Sequence, residues 1–125
     1  MNNFLGRTTI LRAKGFNAEN TAIHYLINHG YDIVSQNFYT RFGELDIIAK
    51  KNRHLHIIEV KYLVKKHIHP AYKLTRPKKR RMIQCAQLFI DRHKLNHLYI
   101  QFDLITIINN HIEHLKHIFS VSDGG

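Results

Sequence analysis

The stretch GELDIIAKKNRHLHIIEVKY, residues 43–62, decides the fold, because it holds two apolar strands joined by a short polar turn. The turn is too short for a crossover, so the two strands should pair antiparallel. If the turn is centred on Asn52 and Arg53, Asp46 lies directly opposite Glu59. The hairpin therefore predicts two neighbouring carboxylates in a largely apolar sheet.

These two carboxylates need a compensating charge. Cross-strand neighbours have Cβ atoms roughly 4.5–5.5 Å apart, and acids so placed repel each other and are costly to bury. Lys61 lies two residues after Glu59, on the same face of the strand, so its ammonium is one candidate. A divalent cation is the better candidate, because hard cations take oxygen ligands from converging carboxylates. The alternative is a solvated face on which the acids pair with Lys50 and Lys61.

A third carboxylate, Glu19, borders the apolar side of a helix predicted over residues 17–29. The residues three, four and seven positions further on are Ala22, Ile23 and Leu26, which form the apolar side of this helix. If this side packs on the sheet face that carries the two hairpin acids, Glu19 reaches the same pocket. Alternatively, Glu19 only stabilises the first helical turn through the helix dipole.

The other elements follow from hydrophobic periodicity and turn residues, and together they predict a single α/β domain spanning residues 1–125. The element order is α-β-β-β-α-β-β, in which the second helix can connect two parallel strands. Residues 1–11 and 120–125 are expected to be loosely ordered. The predicted helices span residues 17–29 and 75–93, and the predicted strands span 31–39, 44–50, 55–62, 98–108 and 111–119.

The chain is strongly basic, and the basic residues are concentrated after the hairpin. It has 19 Lys and Arg against 9 Asp and Glu, a formal net charge of +10, which favours nucleic acid first and an anionic membrane surface second. No acidic residue lies between Glu59 and Asp91. This gap is well placed to bind a phosphate backbone, although a solvated basic loop is the alternative. The candidate nucleic-acid-binding residues are Lys65, Lys66, Lys73, Arg76, Lys78, Lys79, Arg80 and Arg81.

Cysteine usage and hydropathy narrow the class of protein. The single Cys85 excludes an internal disulfide and a cysteine-based zinc cluster, and it suits a reducing compartment. No segment approaches the about 20 apolar residues of a membrane span, and the N-terminal stretch lacks the apolar run of a signal peptide. We therefore expect a cytoplasmic protein that does not use a membrane as its partner.

The motifs in combination resemble a known family. The pieces GFNAENTAIHYLINHGY (residues 15–31), GELDIIA (43–49) and IIEVK (57–61) resemble the YraN-type family of uncharacterised bacterial proteins. That family is similar in turn to archaeal Holliday-junction resolvases and to the PD-(D/E)xK nuclease superfamily, which has a restriction-endonuclease-like core. The resemblance covers residues 12–119, where the pieces QFDLITI and HIEHLKHIF also fit it.

The resemblance implies a nuclease-type catalytic site formed by Glu19, Asp46, Glu59 and Lys61. Asp46 and Glu59 would hold Mg²⁺ or Mn²⁺, with the backbone carbonyl of Val60 as a further ligand. The superfamily motif usually has proline directly before the aspartate, and this chain has leucine there. Lys61 would position the attacking water, stabilise the pentavalent state or act as the base, and the sequence leaves these roles open.

The leading hypothesis is a metal-dependent nuclease that hydrolyses phosphodiester bonds in structured or branched DNA. The first alternative is a nucleic-acid-binding protein with a nuclease-like fold and no turnover. A basic adaptor for an acidic protein is another. Cleavage of both strands of a junction would favour a two-fold homodimer, because the substrate itself is symmetric.

Overall fold

The structure, a computed structural model, describes residues 17–63 and 74–124. These residues form one mixed sheet of five strands with two α-helices packed against it, which confirms the predicted α/β class. The helices are α1 (Ala18–Asn28) and α2 (Arg76–His93). The strands are β1 (Asp32–Thr40), β2 (Gly43–Lys51), β3 (His54–Leu63), β4 (Tyr99–Ile108) and β5 (His111–Phe119).

The strands lie in the order β1-β2-β3-β4-β5. β1, β2 and β3 form an antiparallel meander, β4 runs parallel to β3, and β5 runs antiparallel to β4. The chain enters β4 from α2, as the predicted crossover requires. β2 and β3 pair Lys51 with His54, so the hairpin turn is centred on Asn52 and Arg53, the case considered in the sequence analysis.

Both helices begin and end at residues whose side chains or backbone favour a helix boundary. The Asn17 side chain accepts a hydrogen bond from the backbone N–H of Asn20, and Gly30, at φ +87°, follows the end of α1. Thr75 caps α2 by accepting a hydrogen bond from the backbone N–H of Lys78. Within the described residues, neither helix combines the length and the apolar character needed to cross a membrane.

The sheet is buried on both faces, and each helix covers one of them. α1 packs through Ala22 and Leu26, and α2 packs through a stripe that includes Phe89. Consecutive strand residues belong to different cores, since Ile57 lies under α2 and Ile58 under α1. Burial on both faces explains the nearly continuous apolar runs of the central strands. By the same alternation, every second residue of β3 after Ile57 faces α2.

The chain after β5 continues beside α2. Residues Val121–Gly124 form a short 3-10 helix that contacts α2. Phe119, two residues before this segment, is buried, and the Lys79 ammonium lies 5.6 Å from the centre of its ring. Packing of Phe119 therefore holds the start of this segment against α2. The expectation for residues 1–11 lies outside the described residues.

Candidate functional site

The acidic site forms where β2 and β3 stop pairing. The last pair on this side of the hairpin is Ile47 with Ile58, in the register that a turn at Asn52 and Arg53 requires. Asp46 is the next residue of β2 beyond this pair. There the Asp46 carboxylate accepts a hydrogen bond from the backbone N–H of Val60 over 2.9 Å. The Asp46 side chain thus replaces the backbone carbonyl to which the N–H of Val60 would otherwise donate in a continuous sheet. This contact holds the carboxylate between the two strands.

Three carboxylates converge at this point. Glu19 of α1 and Glu44 of β2 join Asp46, and one oxygen of each carboxylate lies within 4.8 Å of the other two. Asn37 of β1 bridges two of them, because its amide donates hydrogen bonds of 2.8 Å to both Glu19 and Glu44. All three acids are partly exposed. A donor set made only of carboxylate oxygens fits a hard divalent cation such as Mg²⁺ or Mn²⁺.

The electrostatic setting of Asp46 favours a positive partner. Burial raises the pKa of Asp46 well above its usual value, and the negative charge of Glu59 raises it further. The charges of Glu19 and Glu44 act in the same direction, while the hydrogen bond from Val60 lowers the pKa. A carboxyl group perturbed by burial and by neighbouring acids is typical of functional sites, and a bound cation would relieve the repulsion.

Glu59 approaches this site from the other face of the sheet. It is only 6% exposed and lies on the α2 side of β3, where one carboxylate oxygen is 3.3 Å from the Lys78 ammonium. The same oxygen is 3.5 Å from the ammonium of Lys61. α1 and Glu19 lie on the opposite face. The structure therefore groups Glu19 and Asp46 with Glu44, whereas Glu59 pairs with two lysines and acts on Asp46 through its charge.

Two residues of the site were not predicted from the sequence. Glu44 lies two positions before Asp46, and this spacing on one strand was a usable signal. Asn37 offered a weaker one, because Asn is depleted in strands. Its backbone is left-handed, at φ +53°, a conformation that Asn tolerates better than most residues. Both residues are brought to the site by the pairing of β1 with β2.

The predicted nucleic-acid contacts fall into two groups. Lys65, Lys66 and Lys73 lie outside the described residues. Arg76, Lys78, Lys79, Arg80 and Arg81 occupy the start of α2, whose first turn has no acidic residue. Arg76, Arg80 and Arg81 are exposed, and Lys78 reaches inward to Glu59. The basic surface of α2 thus begins beside the acidic site.

A second polar cluster is buried between β3, β4 and β5, around Asp103. Asp103 is fully buried. Burial alone would raise its pKa, but hydrogen bonds from His114, His56 and the backbone N–H of His117 hold the pKa well below its usual value. The hydroxyl of Tyr25 in α1 hydrogen-bonds the other ring nitrogen of His114 over 3.1 Å. The carboxylate accepts four hydrogen bonds, from His56, His114, Gln101 and His117.

Glu44→Gln is expected to weaken the binding of Mn²⁺ by about tenfold, because it removes one charged oxygen ligand and keeps the size of the side chain. The amide oxygen of the variant can still accept the hydrogen bond from Asn37. The dissociation constant can be measured by titration calorimetry. Glu113→Gln removes the same charge at an exposed position of β5 and should leave the affinity unchanged. Equal losses in both variants would show that net charge, and not Glu44, sets the affinity.

Comparison with known proteins identifies a family model that spans the site and several relatives. A family model described as "Uncharacterised protein family UPF0102" matches residues 18–107, a span that includes Glu19, Asp46, Glu59 and Lys61. A UPF0102 protein of Campylobacter hominis is 40% identical over 104 residues, which are 83% of this chain and 91% of the relative. A UPF0102 protein of Persephonella marina is 37% identical over 109 residues, which are 86% of this chain and 94% of the relative.

Proposed function

The chain belongs to the uncharacterised protein family UPF0102, in agreement with its YraN-type motifs, and we propose that it is a metal-dependent nuclease acting on structured or branched DNA. One observation carries the proposal: Glu19, Glu44 and Asp46 converge beside a buried Glu59 that is paired with two lysines. Carboxylates that can hold a divalent cation, next to ammonium groups that can hold a phosphate, are the parts that phosphodiester hydrolysis needs.

The acidic residues would hold the cation, Mg²⁺ or Mn²⁺. Glu19, Glu44 and Asp46 offer converging oxygens, and Glu59 and the backbone carbonyl of Val60 are further candidate ligands. When bound, such a cation lowers the pKa of a water molecule and neutralises charge on a phosphate. It would also offset the repulsion that raises the pKa of Asp46. The hydrogen bond from Val60 keeps the Asp46 carboxylate in place between the strands.

The lysines beside Glu59 would act on the substrate phosphate. Lys61 and Lys78 each keep about a third of the side chain exposed, so both ammonium groups can reach a bound molecule. Their positive charge would stabilise the negative charge that develops on the phosphoryl oxygens during hydrolysis. Glu59 holds both lysines near the acidic site before substrate binds.

The remaining basic residues would bind the nucleic-acid backbone. Arg76, Arg80 and Arg81 are exposed at the start of α2, and the net charge of +10 attracts a polyanion. Lys65, Lys66 and Lys73 precede this helix in the chain and are further candidates for contacts with the phosphate backbone. Such contacts position the duplex but do not read its bases, so the proposed selectivity is for DNA structure.

The experiment that tests the proposal is cleavage of branched, flapped and linear DNA with Mg²⁺, with Mn²⁺ or with a chelator. The wild type is expected to cut branched DNA only when a cation is present. Glu59→Ala is expected to lower the rate by about tenfold to a hundredfold. The variant removes a candidate ligand of the cation and the carboxylate that holds Lys61 and Lys78 near the acidic site. The rate is read from labelled products on a denaturing gel.

Glu113→Ala, at an exposed position of β5, is the control that should cut like the wild type. Equal activity in the wild type and Glu59→Ala preparations would indicate a contaminating nuclease. Salt-dependent DNA binding without cleavage, unaffected by chelator, would favour the nucleic-acid-binding protein without turnover.

A further inference from the structure

Lys78 differs from the other basic residues at the start of α2 in where its side chain points. It lies four residues before the buried Met82, on the side of the helix that faces the sheet. Its backbone N–H donates to the hydroxyl of Thr75, which fixes its place in the first turn. From there its ammonium reaches Glu59 over 3.3 Å, while Arg80 stays exposed.

The ion pair with Glu59 makes Lys78 sensitive to the charge of the acidic site. A buried carboxylate is costly unless it is paired, and Glu59, at 6% exposed, shares one oxygen between Lys61 and Lys78. A divalent cation that interacts with Glu59 competes with both ammonium groups for this oxygen. Lys61 lies on the same strand as Glu59, whereas Lys78 belongs to the helix that carries the exposed arginines.

We infer that Lys78 is a switch contact, for which Glu59 and a backbone phosphate of the nucleic acid compete. This inference rests on the proposed function. Binding of a divalent cation at the acidic site weakens the hold of Glu59 on Lys78, and the ammonium becomes available to the phosphate that the surface of α2 binds. Cation and nucleic acid therefore strengthen each other's binding by the same factor, because such linkage is reciprocal.

The first measurement compares DNA binding with and without a cation. The dissociation constant of a labelled duplex is read by fluorescence anisotropy in chelator and in Ca²⁺, which also takes oxygen ligands, with a gel to show that the duplex stays intact. Lys78→Gln is expected to weaken binding about fivefold more in Ca²⁺ than in chelator. Arg80→Gln removes a charge from the same helix and should weaken binding by the same factor in both conditions.

The second measurement follows the cation without DNA, by calorimetric titration with Mn²⁺. Lys78→Gln is expected to bind Mn²⁺ at least about threefold more tightly, because a competing ammonium is gone. Lys78→Arg keeps the charge and should stay near the wild-type affinity. Lys116→Gln, on an exposed position of β5, removes the same charge two strands away from β3 and should leave Mn²⁺ binding unchanged.

The outcomes separate this inference from the proposed function. Equal penalties for Lys78→Gln with and without Ca²⁺, or weaker binding of Mn²⁺ by this variant, would overturn the switch contact and leave the nuclease proposal standing. A wild type that binds no divalent cation would overturn both. Thermal unfolding of each variant shows whether a change in binding reflects loss of the fold.

Discussion

Asp46→Asn is expected to lower cation-dependent cleavage by about three orders of magnitude and, at the same time, to make the folded chain more stable near neutral pH. The amide cannot supply the negative charge that a divalent cation needs. Its oxygen can still accept the hydrogen bond from Val60, so the local structure should survive. The variant also removes a partly buried charge that Glu59, Glu19 and Glu44 repel. We therefore expect the free energy of unfolding at neutral pH to be higher in the variant than in the wild type.

The pH dependence of this gain follows from the direction of the pKa shift. Because the pKa of Asp46 is raised in the folded state, the folded chain binds the proton more tightly than the unfolded chain does. The stability that this proton contributes is fully present below the ordinary pKa of Asp, near pH 4, and is lost as the pH rises through the raised value. The advantage of Asp46→Asn should therefore be small in acid and grow towards neutral pH, as measured by denaturant unfolding across this range.

The control for this prediction is Asp32→Asn, at an exposed position at the start of β1, which should show neither the gain nor its pH dependence. Addition of Mg²⁺ should stabilise the wild type and leave Asp46→Asn unchanged, because only the wild type binds the cation tightly. If the Asn variant is less stable at neutral pH, or cleaves DNA at the wild-type rate, the proposed role of the Asp46 carboxylate as a cation ligand is wrong.

The hairpin and its register could be predicted because local rules determine both. Alternating burial assigns each strand residue to a face, and a turn centred on Asn52 and Arg53, which the structure has, sets the pairing. The boundaries of α1 were equally local, since Asn17 caps the helix and Gly30 adopts the positive φ that follows its end. The mixed sheet then followed from the length of the segment between β3 and β4.

The arrangement of the acids could be predicted only in part, because it depends on how the helices pack. Alternation along β3 puts Glu59 and Lys61 on one face, but it does not say which helix covers that face. In the structure this helix is α2, so Glu59 meets Lys78, and Glu19 approaches Asp46 from the side of α1. The left-handed backbone that turns Asn37 towards two glutamates has no sequence pattern of its own.

The polar cluster around Asp103 is a further case that sequence reasoning missed. The segment QFDLITI reads as a buried strand with one acidic residue, and this residue was the available signal. Its partners come from β3 and β5 as well as from its own strand, so only the assembled sheet brings them together. The same assembly explains how a fully buried carboxylate stays ionised: each of its oxygens accepts two hydrogen bonds.

Asp103→Asn is expected to destabilise the fold by about 3–5 kcal/mol, which is the usual cost of removing one partner from a buried charged network. The carboxylate only accepts hydrogen bonds, whereas the amide of the variant turns an NH₂ group towards donors that need acceptors. His56 and His114 donate to one carboxylate oxygen, and Gln101 and the backbone N–H of His117 donate to the other. In either orientation of the amide, its NH₂ group therefore faces two of these donors and leaves them without an acceptor. The free energy of unfolding in denaturant, at neutral pH, measures the effect.

The pH dependence of Asp103 is opposite to that of Asp46. The folded-state pKa of Asp103 is lowered, so its contribution to stability is present above the ordinary pKa of Asp and is lost only as the pH falls through the lowered value. The cost of Asp103→Asn should therefore shrink in acid, whereas Asp91→Asn, at an exposed position of α2, should change little at any pH. A loss of less than about 1 kcal/mol at neutral pH would mean that the histidine and glutamine donors find other acceptors, and that Asp103 does not hold β3, β4 and β5 together.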